Sequence, residues 1–111
     1  MQPIFGNPYR LLGNAGSTLR RQPPANVNTR ALFETGKCKR FVAISKVATR
    51  KLAQLDAAQT LEFLRSPPGN RLEALKGNRR GQWSIRVNEQ YRICFRWTTQ
   101  GPTDVELVDY H

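Results

Sequence analysis

Cysteine, histidine and acidic residues are all scarce in this chain, and each shortage removes a class of function. The two cysteines, Cys38 and Cys94, are too few for a disulfide framework and too far apart for a zinc motif. A single histidine in 111 residues argues against a His/Cys metal centre. Both thiols read as reduced and structural, in keeping with a cytoplasmic protein. No apolar run approaches the length of a membrane span. Gly6, Pro8, Arg10 and Gly13 interrupt any apolar core of a signal peptide. No internal repeat is visible.

The shortage of acids matters most. Eight Asp and Glu face 18 Lys and Arg, leaving a net charge of +10. Such an excess points to a polyanionic partner, most often nucleic acid. An anionic membrane is disfavoured, because no segment joins a strong apolar face to a purely basic one. The length fits one domain with a modest core.

Residues 1–27 differ from the rest. They hold four of the seven prolines, three of the eight glycines, three arginines and no acid, and they show no regular period. They read as a basic, poorly ordered tail, with residues 28–111 as the folded domain. Asn28 and Thr29 offer an N-cap, and Gly36 a left-handed stop. Over residues 40–55, Ile44, Val47, Ala48, Leu52 and Leu55 fall at helical spacing. Asp56 is placed to cap a second helix carrying Leu61, Phe63 and Leu64 inward, which Pro67 and Pro68 end.

After Gly69 the period becomes two. Tyr91, Ile93, Phe95 and Trp97 share one face, opposed to Arg92, Cys94 and Arg96. Trp83, Ile85 and Val87 likewise oppose Ser84 and Arg86, and Asn88-Glu89-Gln90 makes a hairpin connection. The final run, residues 105–110, alternates less cleanly, so period alone does not orient Tyr110. The expected architecture is α+β, with two or three N-terminal helices on one face of a small, mostly antiparallel sheet.

Residues 65–96 carry eight cations against only Glu73 and Glu89, densest at Arg79-Arg80 between Gly77 and Gly81. Paired arginines give bidentate contacts to phosphate, although charged loops are usually just solvated. Arg79, Arg80, Arg86 and Arg96 are the candidate RNA contacts. Metal-free RNA cleavage needs a base for a 2′-hydroxyl, an acid for the departing 5′-oxygen, and cations to stabilise the phosphorane. Lys76 and Arg92 suit the last role. Tyr110, His111, or a Glu73 carboxyl made more basic by burial suit the first two. Each also has a plainer reading: a solvated lysine, an ion-paired glutamate, a core tyrosine, a frayed terminal histidine.

The run Leu75-Lys76-Gly77-Asn78-Arg79-Arg80-Gly81-Gln82-Trp83-Ser84-Ile85-Arg86-Val87, with Tyr91-Arg92-Ile93 and the final Asp109-Tyr110-His111, resembles the HigB branch of the RelE-like toxins. Leu32-Phe33-Glu34-Thr35-Gly36 is similar to the short first helix of that branch, and the resemblance covers residues 29–111. It implies a RelE-like fold and a toxin of a type II toxin–antitoxin pair. It also implies an endoribonuclease that cuts mRNA in the ribosomal A site, without metal or cofactor. Products would be a 2′,3′-cyclic phosphate and a 5′-hydroxyl. By position, Lys76 and Arg92 would neutralise the scissile phosphate. Tyr110 and His111 would position the RNA and transfer protons, with Asp109 alongside.

Two departures stand out. Some relatives place a histidine where this chain has Glu73, and relatives begin with a strand where this chain has Arg20 to Asn28. The implied partners are a HigA-like helix-turn-helix antitoxin, mRNA, the ribosomal small subunit and, through the antitoxin, operator DNA. A non-catalytic RNA- or ribosome-binding module is the alternative. A DNA-binding regulator fits less well, since the cations concentrate on the sheet rather than on a recognition helix.

Overall fold

Helical spacing gives way to alternation near residue 70, and the fold divides there into a helical layer and a sheet. A computed structural model describes residues 17–66 and 68–109. The helices are α1 (Thr18–Arg21), α2 (Val27–Thr35) and α3 (Ser45–Ala57), with 3₁₀ turns at Lys39–Ile44, Leu61–Arg65 and Pro68–Asn70. Strands β1 (Glu73–Ala74), β2 (Trp83–Arg86), β3 (Tyr91–Thr98) and β4 (Gly101–Asp109) follow. They form one sheet in chain order, antiparallel throughout. The chain therefore has the expected α+β architecture. No helix among the described residues is long and apolar enough to cross a membrane.

Side-chain chemistry sets the helix limits. Asn26, not Asn28, caps α2: its Oδ1 accepts from the Thr29 N–H at 3.0 Å and the Thr29 hydroxyl at 3.2 Å. The Thr29 oxygen in turn accepts from the Leu107 N–H at 3.1 Å, satisfying a buried donor of β4. Gly36, at φ 74°, ends α2 as its left-handed cap. Ala48, Leu52 and Leu55 of α3 are fully buried and pack on Ile85, Ile93, Phe95, Val105 and Leu107 of the sheet. The helical stretch expected over residues 40–55 is in part 3₁₀, because Phe41 (φ −121°, ψ 31°) breaks the turn before Ser45. Leu64 is buried as expected, whereas Phe63 is 48% exposed, since a 3₁₀ turn gives a narrower inward face than a full helix.

Helical structure among the described residues begins before Asn28, at Thr18–Arg21. Ser17 caps α1, and the buried Asp56 of α3 holds that helix from outside: its two carboxylate oxygens accept from the Ser17 hydroxyl at 2.7 Å and the Leu19 N–H at 2.8 Å. Asp56 thus serves an earlier helix rather than the one that follows it, where Thr60 is the cap. Leu19 is fully buried, and the Thr18 hydroxyl donates to the Gln100 carbonyl at 3.0 Å. Composition misses this because one leucine and one helix turn anchor an otherwise polar segment. Among the described residues no strand precedes Glu73, so the position where the resemblance led us to expect a first strand holds α1 and the lead into α2.

Leu19→Ala is expected to lower unfolding free energy by about 2–4 kcal/mol in a urea titration, the cost of a core truncation. An unchanged midpoint would return this segment to the status of a tail.

Candidate active site

Alternation along β2 and β3 turns their polar residues away from the helices. Glu73, Ser84, Cys94 and Glu106 align across the four strands, and Arg86, Arg92 and Val108 form the next row. Arg92 is the most constrained cation of this face. Its Nε donates to the fully buried Ser84 hydroxyl at 2.6 Å and its Nη2 to the Arg71 carbonyl at 2.6 Å. Glu73 Oε1 lies 3.7 Å from the same Nη2, and the Arg92 side chain is only 12% exposed. The guanidinium is therefore held in one pose before any ligand arrives. Glu73 itself is 57% exposed, so the burial that would suit it as a base is absent, and it stands as a counter-ion to Arg92.

Arg71 reaches this geometry through a strained backbone, φ 45°, next to the buried Asn70. Asn70 is fully buried, donates to the Leu64 carbonyl at 3.1 Å and Gln54 at 3.4 Å, and accepts from the Lys51 amine. Lys51 is itself buried on α3. Burial lowers its pKa, and the charges of Arg50 and Arg86 lower it further. A chain of contacts thus runs from α3 through Asn70 and Arg71 to Arg92.

On the other side of Arg92 sits Cys94, fully buried on the polar face. Burial raises its pKa. Arg79 and Arg92 oppose that shift while Glu106 adds to it, so the thiol is an inert, protonated floor beneath converging charges. Arg79 bridges to Gln82 Oε1 at 3.2 Å and Glu106 Oε1 at 3.4 Å. Lys76 and Arg80 are exposed on either side of the 3₁₀ turn Gly77–Arg79. Arg96 points elsewhere, toward Asp104 at 3.3 Å.

Of the sequence candidates, Arg92, Glu73 and Arg79 gather around Ser84 and Cys94, while Lys76 and Arg80 flank them in the turn. Arg86 lies toward Lys51. Tyr110 and His111 lie outside the described residues. β4 runs to Asp109, paired with Tyr91, and so brings the chain to the Arg92 end of the sheet. Alternation placed Ser84 and Cys94 on the arginine face. Nothing in the sequence marked Asn70, Lys51 or the Arg71 carbonyl, because their role arises from contacts across 19 and 21 residues.

Comparison with known proteins agrees with this architecture. The family described as "RelE-like toxin of type II toxin-antitoxin system HigB" matches residues 26–111. The chain is 51% identical over 67 residues to Toxin HigB-1 of Vibrio cholerae serotype O1, covering 59% of this chain and 70% of that protein. It is 44% identical over 52 residues to an uncharacterized protein of Haemophilus influenzae, spanning 47% of this chain and about half (52%) of that one.

Asn70→Leu strands the Lys51 amine and should cost about 3 kcal/mol, the scale of a buried group left without its partner. Asn70→Asp keeps the acceptor and should cost less. Because the folded-state pKa of Lys51 lies below its unfolded value of 10.5, the unfolded chain binds the extra proton between the two. The stability of the wild type relative to Lys51→Met should therefore rise with pH between the lowered folded-state pKa and 10.5, and level off above it. Urea titrations across the window check the sign.

Proposed function

Because the chain belongs to the HigB-like family of RelE-like type II toxins, with its match over residues 26–111, we propose that it is a metal-independent endoribonuclease acting on ribosome-bound mRNA. A type II toxin also implies a protein antitoxin. The observation that carries the nuclease reading is Arg92, a mostly buried cation oriented in advance by Ser84, Arg71 and Glu73 beside Arg79. A charge held ready where negative charge develops needs no reorganisation during reaction.

In the reaction a ribose 2′-oxygen attacks the adjacent phosphorus while the bond to the 5′-oxygen breaks. The 2′-hydroxyl loses a proton and the leaving oxygen gains one, giving a 2′,3′-cyclic phosphate and a 5′-hydroxyl. Arg92 and Lys76 neutralise the phosphorane, and Arg80 and Arg86 hold flanking phosphates, while Arg79 and Arg96, each paired with a carboxylate, add little to phosphate binding. Tyr110 and His111 carry the protons. The exposed, ion-paired Glu73 keeps Arg92 in place rather than taking a proton. The ribosomal A site supplies the in-line geometry, a contribution that can rival acid–base groups. A passive RNA-binding module would share the charge but not the need for a fixed Arg92.

Arg92→Lys keeps a cation but loses the planar fork. It should cut ribosome-bound mRNA about a hundredfold more slowly, as should Arg92→Ala, the scale of losing an oriented charge stabiliser. Single-turnover cleavage with a parallel thermal melt separates this from unfolding, which matters because the Ala variant also frees Ser84 and the Arg71 carbonyl. Wild-type rates in a folded Arg92→Lys protein would remove the role.

A HigA-like helix-turn-helix antitoxin then packs on the helical side and leaves the polar face open, so that it also carries any operator DNA contact. Val42 is 70% exposed there, between the exposed Arg40 and Lys46. Lys46→Glu with Arg50→Glu should abolish antitoxin binding by calorimetry, whereas Arg79→Glu with Arg80→Glu should leave it intact. Lys51 does not belong in this test, because its amine is buried. The reverse pattern would put the antitoxin over the polar face.

A further inference from the structure

The polar face continues past Arg92. Four residues along β3, Arg96 lines a groove of about 420 Å³ between β4 and the segment leading into α2, with Asn26, Gln82, Asp104 and Glu106 among its walls. Three backbone features meet there. Cys94 pairs with Glu106 but Arg96 pairs with Thr103, so two steps on β3 match three on β4 and β4 carries a bulge. Bulges of this kind re-aim a side chain. Within the bulge Asp104 sits at φ 53°, a region that residues with a Cβ rarely occupy, and its Oδ2 lies 3.3 Å from Arg96 Nε. Opposite, Gly81 has φ 92°, and a Cβ on it would stand 2.8 Å from Arg96 Nη1. The glycine leaves the space that the guanidinium plane occupies.

Arg92 has one counter-ion, Glu73 at 3.7 Å, whereas the cations of this groove are paired more closely. Each cation is matched: Arg79 with Glu106 at 3.4 Å, Arg96 with Asp104 at 3.3 Å. A phosphate gains little where two carboxylates offset two guanidinium groups. What remains is a planar face and a mixed hydrogen-bonding rim. The Gln82 oxygen accepts from Arg79 and the Asn26 oxygen from Thr29, leaving both amide NH₂ groups to donate. The carboxylates of Glu106 and Asp104 accept. That set complements a nucleobase, which offers a π face to a guanidinium and donors and acceptors at its edge. Carboxylates accept from exocyclic amino groups, which adenine, cytosine and guanine carry and uracil lacks.

We propose that this groove is a subsite for an unpaired, amino-bearing RNA base, on a nucleotide near the scissile one. It deepens the nuclease reading and rests on RNA being the ligand. Gln82 and Glu106 read the base edge. Asp104 holds Arg96 as the plane on which the base stacks. Four residues of strand separate Arg96 from Arg92 by about 13 Å, so the base read here is not the one at the cleaved bond.

The test uses the full chain and uncleavable 2′-fluoro hexanucleotides of adenine, cytosine or uracil, with binding followed by fluorescence anisotropy. The wild type should bind the adenine and cytosine hexamers about tenfold more tightly than the uracil one, the scale of one good base-edge contact. Gln82→Ala with Glu106→Gln should compress that ratio to about threefold or less on the same scale. Asp104→Gly relieves the φ strain while removing the carboxylate, so it should fold and also lose discrimination. Lys76→Ala should weaken all three hexamers alike. Equal wild-type binding of the three, or discrimination that survives in the folded variants, overturns the subsite. Cleavage on programmed ribosomes is scored separately: base discrimination without any cutting would sink the nuclease reading and keep the groove, and cutting without discrimination would do the opposite.

Discussion

A guanidinium that is nearly nine-tenths covered must have its donors satisfied by the protein, and at Arg92 that requirement organises the surrounding sheet. Ser84 supplies an oxygen from β2, Arg71 a carbonyl from the loop before β1, and Glu73 a counter-charge from β1. An unmatched cation at that depth would be strongly destabilising, so the short strand β1 and its approach loop must adopt this arrangement for the face to form. The same restraint gives the face its chemical character. Arg92 cannot relax toward solvent, and its charge stays directed at whatever anion approaches.

Backbone strain is distributed accordingly. Among the described residues two non-glycine positions have positive φ, Arg71 and Asp104. The first presents its carbonyl to Arg92 and the second its carboxylate to Arg96. Each costs on the order of 1–3 kcal/mol, which only the surrounding structure can offset. At Arg71 the offset comes from Asn70, locked by Lys51 and by the Leu64 carbonyl. At Asp104 it comes from β3–β4 pairing on both sides of the bulge. The two arginines of β3 are thus oriented by separate devices, one held by Ser84, the Arg71 carbonyl and Glu73, the other by Asp104 in the bulge.

The helical layer anchors these devices. α3 supplies Lys51 and Gln54 toward the Asn70 loop and, in its last turn, Asp56 toward α1. The segment between α1 and α2 then contributes Asn26, which caps α2, reaches β4 through Thr29 and lines the groove beside Arg96. Ala25 and Asn26, inside a stretch that looks like a basic tail by composition, therefore line the groove beside Arg96.

Period and charge in the sequence determined that helical segments precede a sheet built on the β2–β3 hairpin, which faces of β2 and β3 carry arginine, and the excess of positive charge, but not α1 or β1. These are local properties: apolar spacing of 3.6 or 2 selects the element, and burial of that apolar stripe selects the face. The motif around Lys76 and Arg92 likewise marked the family. What tertiary structure alone decided is the state of individual polar groups. Lys51 is equivalent to Lys46 and Arg50 by helical pattern, yet it is buried and its amine donates to Asn70 in the turn at Pro68–Asn70. Asp56 has the form of a helix cap, yet it holds the N-terminus of a helix 37 residues earlier. Glu73 has the form of a base, yet it is an exposed counter-ion. In each case the deciding partner is distant in sequence, and a side chain's burial and charge balance depend on partners that only folding brings together.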